Sequence, residues 1–541
     1  MADKQRQMKN IWMVSREYGD LAGAGGVRDV VSQLSETLGR WTGRRLHVVV
    51  PLYGFIDTAL QGFLPLMDPL CEDREVWLQI DMDHPDRSVV EEVGFFHRNV
   101  NRVNIYLADA ERFRQKSDVY VYNETDERRV AWQKKAMGHH DYFAMNLLLQ
   151  KAALELMIVL DEHPDVIHCH DGHTAILPGL IRESPGYRSY FRGTGCLVTI
   201  HNAGLGYHQE VADIPYARSI TGLPDHVIED NQLDNKFDPF LVAGNYAIVN
   251  TVSENYAREL QESDEDRLTG WLGHALKSRG VVLEGVTNGI APAGFSSATV
   301  AGERVELLFD PADEDDSLEG KARCKDALLE ELRPGASLPD VQCFGSLAGD
   351  AAQPLFTFIG RLSEQKGVDL LLEEAEELMV QEKQMQLLVL GSGDTKFEAQ
   401  LVRLTTEKSL EGRVCFLQGF SPEIANRVYA AGDFFVIPSR FEPCGLTDFI
   451  AQLFGNIPVV HHVGGLVKVI DNVTGLAYTG QFPDDLFNGL RRALDLYKDK
   501  PRLRRMQRCA VEEIRRHYTW DKVMHKYLDL YQQAIKTQVC R

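Results

Sequence analysis

The chain has 541 residues, 44% of them hydrophobic, and its 58 Lys and Arg against 79 Asp and Glu give a net charge of −21. That acidity argues against a general nucleic-acid binder, which needs a basic footprint, and against a polybasic membrane anchor. The hydrophobic share suits a packed core and is too high for a disordered chain, and at about 150 residues per domain the length leaves room for roughly three or four domains or two large α/β ones.

The first residues, Met1-Ala2-Asp3-Lys4-Gln5-Arg6, show no signal-peptide core and lead into a short apolar strand at 11–15. Gly25-Gly26 then opens a segment with Val27, Val30, Val31, Leu34 and Leu38 at amphipathic-helix spacing. Residues 46–50, apolar except for His47, read as a strand buried on both faces. The charge-rich stretch 65–141 is less regular and reads as a hairpin or insertion. Further strands are expected at 166–170, 197–201 and 247–252, so strands alternate with helices as in a parallel sheet covered on both faces. Residues 291–354 read as a junction, with the acidic run Asp310-Pro311-Ala312-Asp313-Glu314-Asp315-Asp316 as a solvated loop. A second alternating series follows, with strands at 355–359, 387–390, 433–438 and 459–461 and helices at 367–380, 421–431, 446–454 and 484–496. No apolar run approaches the ~18 residues of a membrane span, and nine scattered cysteines without a CxxC pair read as reduced thiols. A soluble, cytoplasmic protein with two doubly wound halves is expected, its ligands beyond the carboxyl ends of the strands, in a cleft between two facing sheets.

The chemistry-bearing residues cluster at strand-to-helix loops. Pro438-Ser439-Arg440-Phe441-Glu442-Pro443-Cys444-Gly445-Leu446-Thr447 ends a strand and opens a helix, where unpaired amides can hold hydroxyls or anions and Glu442 can accept from sugar hydroxyls. The plain structural reading is a helix entry capped by its glutamate. In Gly360-Arg361-Leu362-Ser363-Glu364-Gln365-Lys366-Gly367 two cations can reach one diphosphate, Arg361 by paired bonds and Lys366 as a point charge. Solvated surface charges are the alternative. Thr199-Ile200-His201-Asn202 places a polar pair at a buried strand end. His168-Cys169-His170-Asp171-Gly172-His173 invites a zinc reading, which is set aside because alternate strand residues face opposite ways and no zinc spacing is present. Gly23-Ala24-Gly25-Gly26 and Gly464-Gly465 can each bring a helix start close to a ligand, whereas Gly391-Ser392-Gly393 resembles a dinucleotide fingerprint without its third glycine.

In this order the segments resemble the bacterial glycogen synthase and plant starch synthase family of retaining GT-B glycosyltransferases. The resemblance runs from Glu17 through His170-Asp171, His201-Asn202, Thr251-Val252-Ser253-Glu254-Asn255-Tyr256-Ala257 and Asn288-Gly289-Ile290 to the two loops above and the tail from Trp520 to Tyr531. It implies a GT-B α/β fold: an N-terminal domain at 1–290, a junction at 291–354, a C-terminal domain at 355–518 and a closing helix at 519–541 that returns to the N-terminal domain. It implies transfer of glucose from ADP-glucose to the non-reducing end of an α-1,4-glucan, with no metal, cofactor, nucleic acid or membrane involved. On that basis His201, Arg361, Lys366 and Glu442 are the catalytic residues. Gly25, Gly26, Gly391, Cys444, Gly445, Leu446, Gly464 and Gly465 join Arg361, Lys366 and Glu442 in holding the donor, and Asp29, Asp141 and Asn202 face the acceptor. No second carboxylate is placed as a nucleophile, so the paired-carboxylate scheme of glycosidases is not the template.

The sequence departs from the family pattern at four positions. Gly23 stands for the lysine of Lys-x-Gly-Gly-Leu, with Arg28 as a candidate replacement. Gly172 stands for a tryptophan, Asp448 for a glutamine and Ala291 for an aspartate. Two other readings therefore remain: a related transferase with another nucleotide sugar, such as UDP-glucose, or a short acceptor; and a catalytically weak glucan-binding homologue.

Overall fold

The computed structural model describes residues 8–40, 43–335, 337–348, 350–480 and 482–539, so Met1 to Arg6 lie outside the described residues. Two units separate: the residues up to Gly289 together with those from Trp520 onward, and Ile290–Thr519.

The first unit is built on a ten-stranded sheet. Its strands are β1 (Asn10–Val14), β2 (Arg45–Pro51), β3 (Leu64–Pro65), β4 (Trp77–Asp81), β5 (Val90–Val100), β6 (Val103–Asp109), β7 (Val166–His170), β8 (Gly195–Ile200), β9 (Ile248–Thr251) and β10 (Glu284–Gly285). Their order is β10-β9-β8-β7-β1-β2-β6-β5-β3, with β4 also paired to β5. β1 is flanked in parallel by β2 and β7, so the winding reverses there and its carboxyl end is a topological switch point. Residues 65–141 carry an antiparallel extension. β5 and β6 form a hairpin whose turn, Asn101-Arg102, has φ of 50° and 70°, the paired positive φ that matches strand twist.

The helix Tyr142–Val159 is long and apolar enough by composition to cross a membrane, although the sequence suggested no such run, and 72% of it is buried inside this unit. Two of its polar members, Asn146 and Gln150, are buried with it. The closing helix Trp520–Val539 packs on the same unit. Gly195 has no room for a side chain, because a Cβ would stand 2.7 Å from the Ala534 backbone, and Trp520 Nε1 donates to Gln33 Oε1 at 2.8 Å.

The second unit holds a seven-stranded sheet: β11 (Val341–Leu347), β12 (Leu355–Ile359), β13 (Gln386–Gly391), β14 (Arg413–Gly419), β15 (Phe434–Ile437), β16 (Ile457–His461) and β17 (Leu476–Tyr478). The order is β11-β14-β13-β12-β15-β16-β17, and the winding reverses between β12 and β15.

Residues 291–354 are not a separate junction. β11 pairs antiparallel with β14 at the sheet edge, and the helix Glu319–Glu331 sends Lys321 into the interior of the unit. There Lys321 Nζ donates to the carbonyls of Ala430, Gly432 and Phe454 at 2.9, 2.7 and 3.0 Å. These lie at helix carboxyl ends, where carbonyls lack partners and the helix dipole favours a cation. Burial lowers the Lys321 ammonium to about 8. The acidic run is the solvated loop expected, with Asp313, Glu314 and Asp315 exposed, and it carries surface pairs in which Arg508 meets Glu314 and Arg515 meets Asp310 at 3.0 Å.

Candidate active site

In the second unit the two strongest sequence motifs follow β12 and β15, the strands on either side of the switch point. The loop after β12 turns sharply at Gly367, whose φ is 66° and where a Cβ would stand 2.1 Å from the Pro438 carbonyl. Only glycine brings this loop so close to the other. The two backbones then join, with Arg440 N donating to Gln365 O at 2.9 Å and the Arg440 guanidinium pairing with both oxygens of Asp369.

Within this frame Lys366 Nζ lies 2.6 Å from Glu442 Oε2, which also accepts from Ser439 Oγ at 2.9 Å. His461, at the end of β16, fixes the start of the loop through a 2.9 Å contact between Nδ1 and the Ser439 carbonyl. Arg361 is exposed and makes no hydrogen bond or ion pair among the described residues. The arrangement is thus a carboxylate already neutralised by one cation, with a second cation free in the same loop.

The glycines have internal duties. A Cβ on Gly464 would stand 2.0 Å from the Glu442 carbonyl, and Gly465 N donates to that carbonyl at 2.9 Å. The Gly464-Gly465 turn therefore buttresses the Glu442 backbone, and the Gly465 amide expected to hold a diphosphate is engaged there. Gly391 ends β13 with its Cα against the Gly360 carbonyl, which a Cβ would approach to 2.0 Å, so it serves the crossing of two loops.

Below Cys444, Gly445 and Leu446 sits a group that sequence reasoning missed. Lys468 Nζ donates to the carbonyls of Cys444, Gly445 and Gly465 at 2.5, 2.6 and 3.0 Å. It also pairs with Asp448 Oδ1 at 3.1 Å, and both side chains are buried. Burial pushes the Asp448 carboxyl up to about 6 against the pull of Lys468. The departure at Asp448 is therefore matched by a charge twenty residues downstream, too far along the chain to read as a motif.

In the first unit the loops after β1, β7 and β8 carry the candidate residues. His201 Nε2 lies 3.0 Å from His170 Nδ1, and Asp171 Oδ1 accepts from the amides of His201 and Asn202 at 2.6 and 3.3 Å. Burial pushes the His201 imidazole down to about 3 and the Asp171 carboxyl up to about 8. His201 is accordingly neutral at physiological pH, a hydrogen-bonding group and not a cation. Asn202 Oδ1 folds back onto Gly204 N at 2.8 Å. His168, on the strand, is taken up by Tyr531 and Thr199 at 2.9 and 2.7 Å, so its two ring nitrogens serve the core.

The glycine turn before the first helix, Gly26–Arg40, already holds an anion. Glu17 Oε2 accepts from Ala24 N and Gly25 N at 2.8 and 3.2 Å, and Glu17 Oε1 from Tyr120 at 2.6 Å. The Gly25 amide expected at the donor is thus engaged by Glu17, a residue the sequence offered only within the resemblance. The space beside Gly23 is filled: a Cβ there would stand 2.2 Å from Arg28 Cδ. Arg28 therefore occupies the volume into which a side chain at position 23 would grow. Asp29 lies next to it, 3.8 Å from Arg28 Nε. Gly172 is likewise explained, since a Cβ would meet the His208 carbonyl at 2.3 Å; the following loop leaves no room for a tryptophan. Asp141 pairs with Lys116 and Arg112, each at 2.7 Å, and so anchors the 112–141 segment.

A family described as the starch synthase catalytic domain matches residues 10–274, and one described as glycosyl transferases group 1 matches residues 353–495. The chain is 30% identical to glycogen synthase 2 of Geobacter sulfurreducens, over 98% of this chain and 99% of that one. It is 29% identical to the glycogen synthase of Geotalea daltonii, over 97% and 99%. Its fold resembles the catalytic domain of starch synthase IV from Arabidopsis thaliana, a structure bound to ADP and acarbose, with a TM-score of 0.74 and 21% identity over 98% of this chain and 99% of that one.

Proposed function

The chain belongs to the glycogen and starch synthase family of glycosyltransferases, and from that premise we propose that it elongates an α-1,4-glucan at its non-reducing end, with retention, using ADP-glucose as donor. The observation that carries this reading is the pairing of Lys366 with Glu442 at a sheet switch point, beside the unpaired Arg361.

The donor's diphosphate supplies the anion that Arg361 lacks and that Lys366 prefers to a single carboxylate. As Lys366 turns toward phosphate, Glu442 is released to accept hydroxyl hydrogens from the glucosyl ring, while Ser439 keeps it oriented. When the sugar–phosphate bond breaks, charge builds on the departing phosphate, where preorganised cations are most effective. The neutral His201 suits a hydrogen bond to a sugar hydroxyl and excludes it as a proton-donating imidazolium near pH 7. With Glu442 already paired to Lys366, departure and attack on the same face of the ring fits this reading better than the paired-carboxylate route of glycosidases.

The purified protein should extend glycogen and maltooligosaccharides with ADP-glucose, and less well with UDP-glucose. Extension with neither donor, alongside retained glycogen binding, would instead support the non-catalytic glucan binder.

A further inference from the structure

Outside the charged loops the first unit exposes an apolar surface that the chemistry above leaves unused. One half is the tip of the loop that begins at His201 and Asn202: Leu205 is 68% and Tyr207 39% exposed. The other half is the turn Leu268-Thr269-Gly270-Trp271, where Leu268 is 38% and Trp271 44% exposed. The halves touch. Leu205 N donates to the Leu268 carbonyl at 3.4 Å, and Leu205 Cδ2 lies 3.2 Å from the point a Cβ on Gly270 would occupy.

Both halves are held firmly from beneath. His208 is buried between Asp238 Oδ2 at 2.7 Å and the Ala203 carbonyl at 2.8 Å, which closes the first loop behind its tip. Buried Asp266 accepts from Thr269 Oγ1, Gly273 N, His274 N and His274 Nδ1 at 2.5, 3.0, 2.9 and 2.8 Å. That hub keeps Trp271 at a φ of 68°, a left-handed conformation that an aromatic residue adopts only when its surroundings impose it. The protein thus maintains a strained backbone whose visible result is an exposed indole beside two leucines. An uncharged, rigid aromatic and aliphatic face suits a neutral ligand with apolar CH faces, which describes the pyranose rings of a glucan. The surface is continuous with the loop of His201 and Asn202, and this continuity identifies the occupant.

We infer that Leu205, Tyr207, Leu268 and Trp271 form a platform for the acceptor glucan chain, away from its reacting end. This rests on the glucan-elongation reading given above.

The test combines glycogen affinity, measured by electrophoresis in glycogen-containing gels, with elongation of glycogen and of maltotriose. Trp271→Asn suits the left-handed position and Leu205→Ser changes only the exposed tip, so the second variant decides if the first fails to fold. Both should weaken glycogen affinity about tenfold, and the loss in kcat/KM on glycogen should exceed that on maltotriose by a similar factor. Unchanged affinity, or equal losses on long and short acceptors, would overturn the platform. A wild-type protein that binds glycogen through these residues without extending it would uphold the platform and sink the elongation reading. A wild-type protein that neither binds nor extends glycogen would sink both.

Discussion

Lys366 Nζ and Glu442 Oε2 lie 2.6 Å apart although 76 residues separate them in the chain. The contact joins the two loops that leave the sheet where its winding reverses, and it sets the resting charge of the site. On the proposed reading a donor diphosphate competes with Glu442 for Lys366, while Arg361 makes no hydrogen bond or ion pair among the described residues. The two cations therefore predict different mutant behaviour.

Arg361→Ala and Lys366→Ala should each lower turnover about 10²- to 10³-fold, the scale of losing one preorganised contact to developing charge. Only Lys366→Ala should also lower stability, by about 1–3 kcal/mol, because it leaves the largely buried Glu442 carboxylate with Ser439 alone. Steady-state kinetics and thermal unfolding of both variants check this. Turnover that survives both changes would mean that the diphosphate binds elsewhere.

Arg28 fills the volume beside Gly23. We expect Arg28→Ala to raise the donor KM about 10- to 100-fold, the worth of one charge-assisted bond. Gly23→Lys alone should not improve donor binding, since its side chain collides with Arg28. Gly23→Lys combined with Arg28→Ala should recover most of the loss. A donor KM indifferent to Arg28 would show that this cation does not serve the donor.

Asp448 offers a pH signature. Burial raises its carboxyl from 3.8 to about 6 in the folded chain, so the folded state holds the proton more tightly than the unfolded state. The resulting stabilisation is complete below pH 4 and is lost as pH rises through 6. Relative to Asp448→Asn, which cannot ionise, wild-type stability should therefore fall by about 2 kcal/mol between pH 4 and 7. Denaturant unfolding across that range measures it, and a constant difference would contradict the assigned direction.

Lys321 reaches three helix-end carbonyls from a helix that the sequence assigns to a junction. Replacing it with Met keeps the apolar stem but strands those acceptors. The variant should lose about 3 kcal/mol or more, read as a lower thermal midpoint. A neutral result would mean that the carbonyls find other partners.

Much of the architecture was legible in the sequence because periodicity and glycine placement are local. The alternation of the strand at 11–15, the amphipathic segment opened by Gly25-Gly26 and the strand at 46–50, and of 355–359 with 367–380, announces doubly wound sheets. The motifs at Arg361, Glu442 and His201 fall at strand ends, where such sheets carry their ligands. Residues 291–354 misled because an antiparallel edge strand and a helix held by a buried lysine have no strong period, and their membership in the second unit is settled by pairing with distant strands.

The sequence by itself determined the two sheets, the family motifs and the positions of the chemical groups, since each depends on neighbours a few residues away. The tertiary structure alone decided which of those groups are already engaged. Glu17 occupies the glycine turn, Lys366 neutralises Glu442, Arg28 fills the space beside Gly23, and Lys468 compensates Asp448. The reason is electrostatic: buried charges and orphan amides must find partners of opposite sign. Except for Arg28, five residues from Gly23, and Glu17, seven residues from Ala24, the chain supplies those partners from loops that meet only after folding.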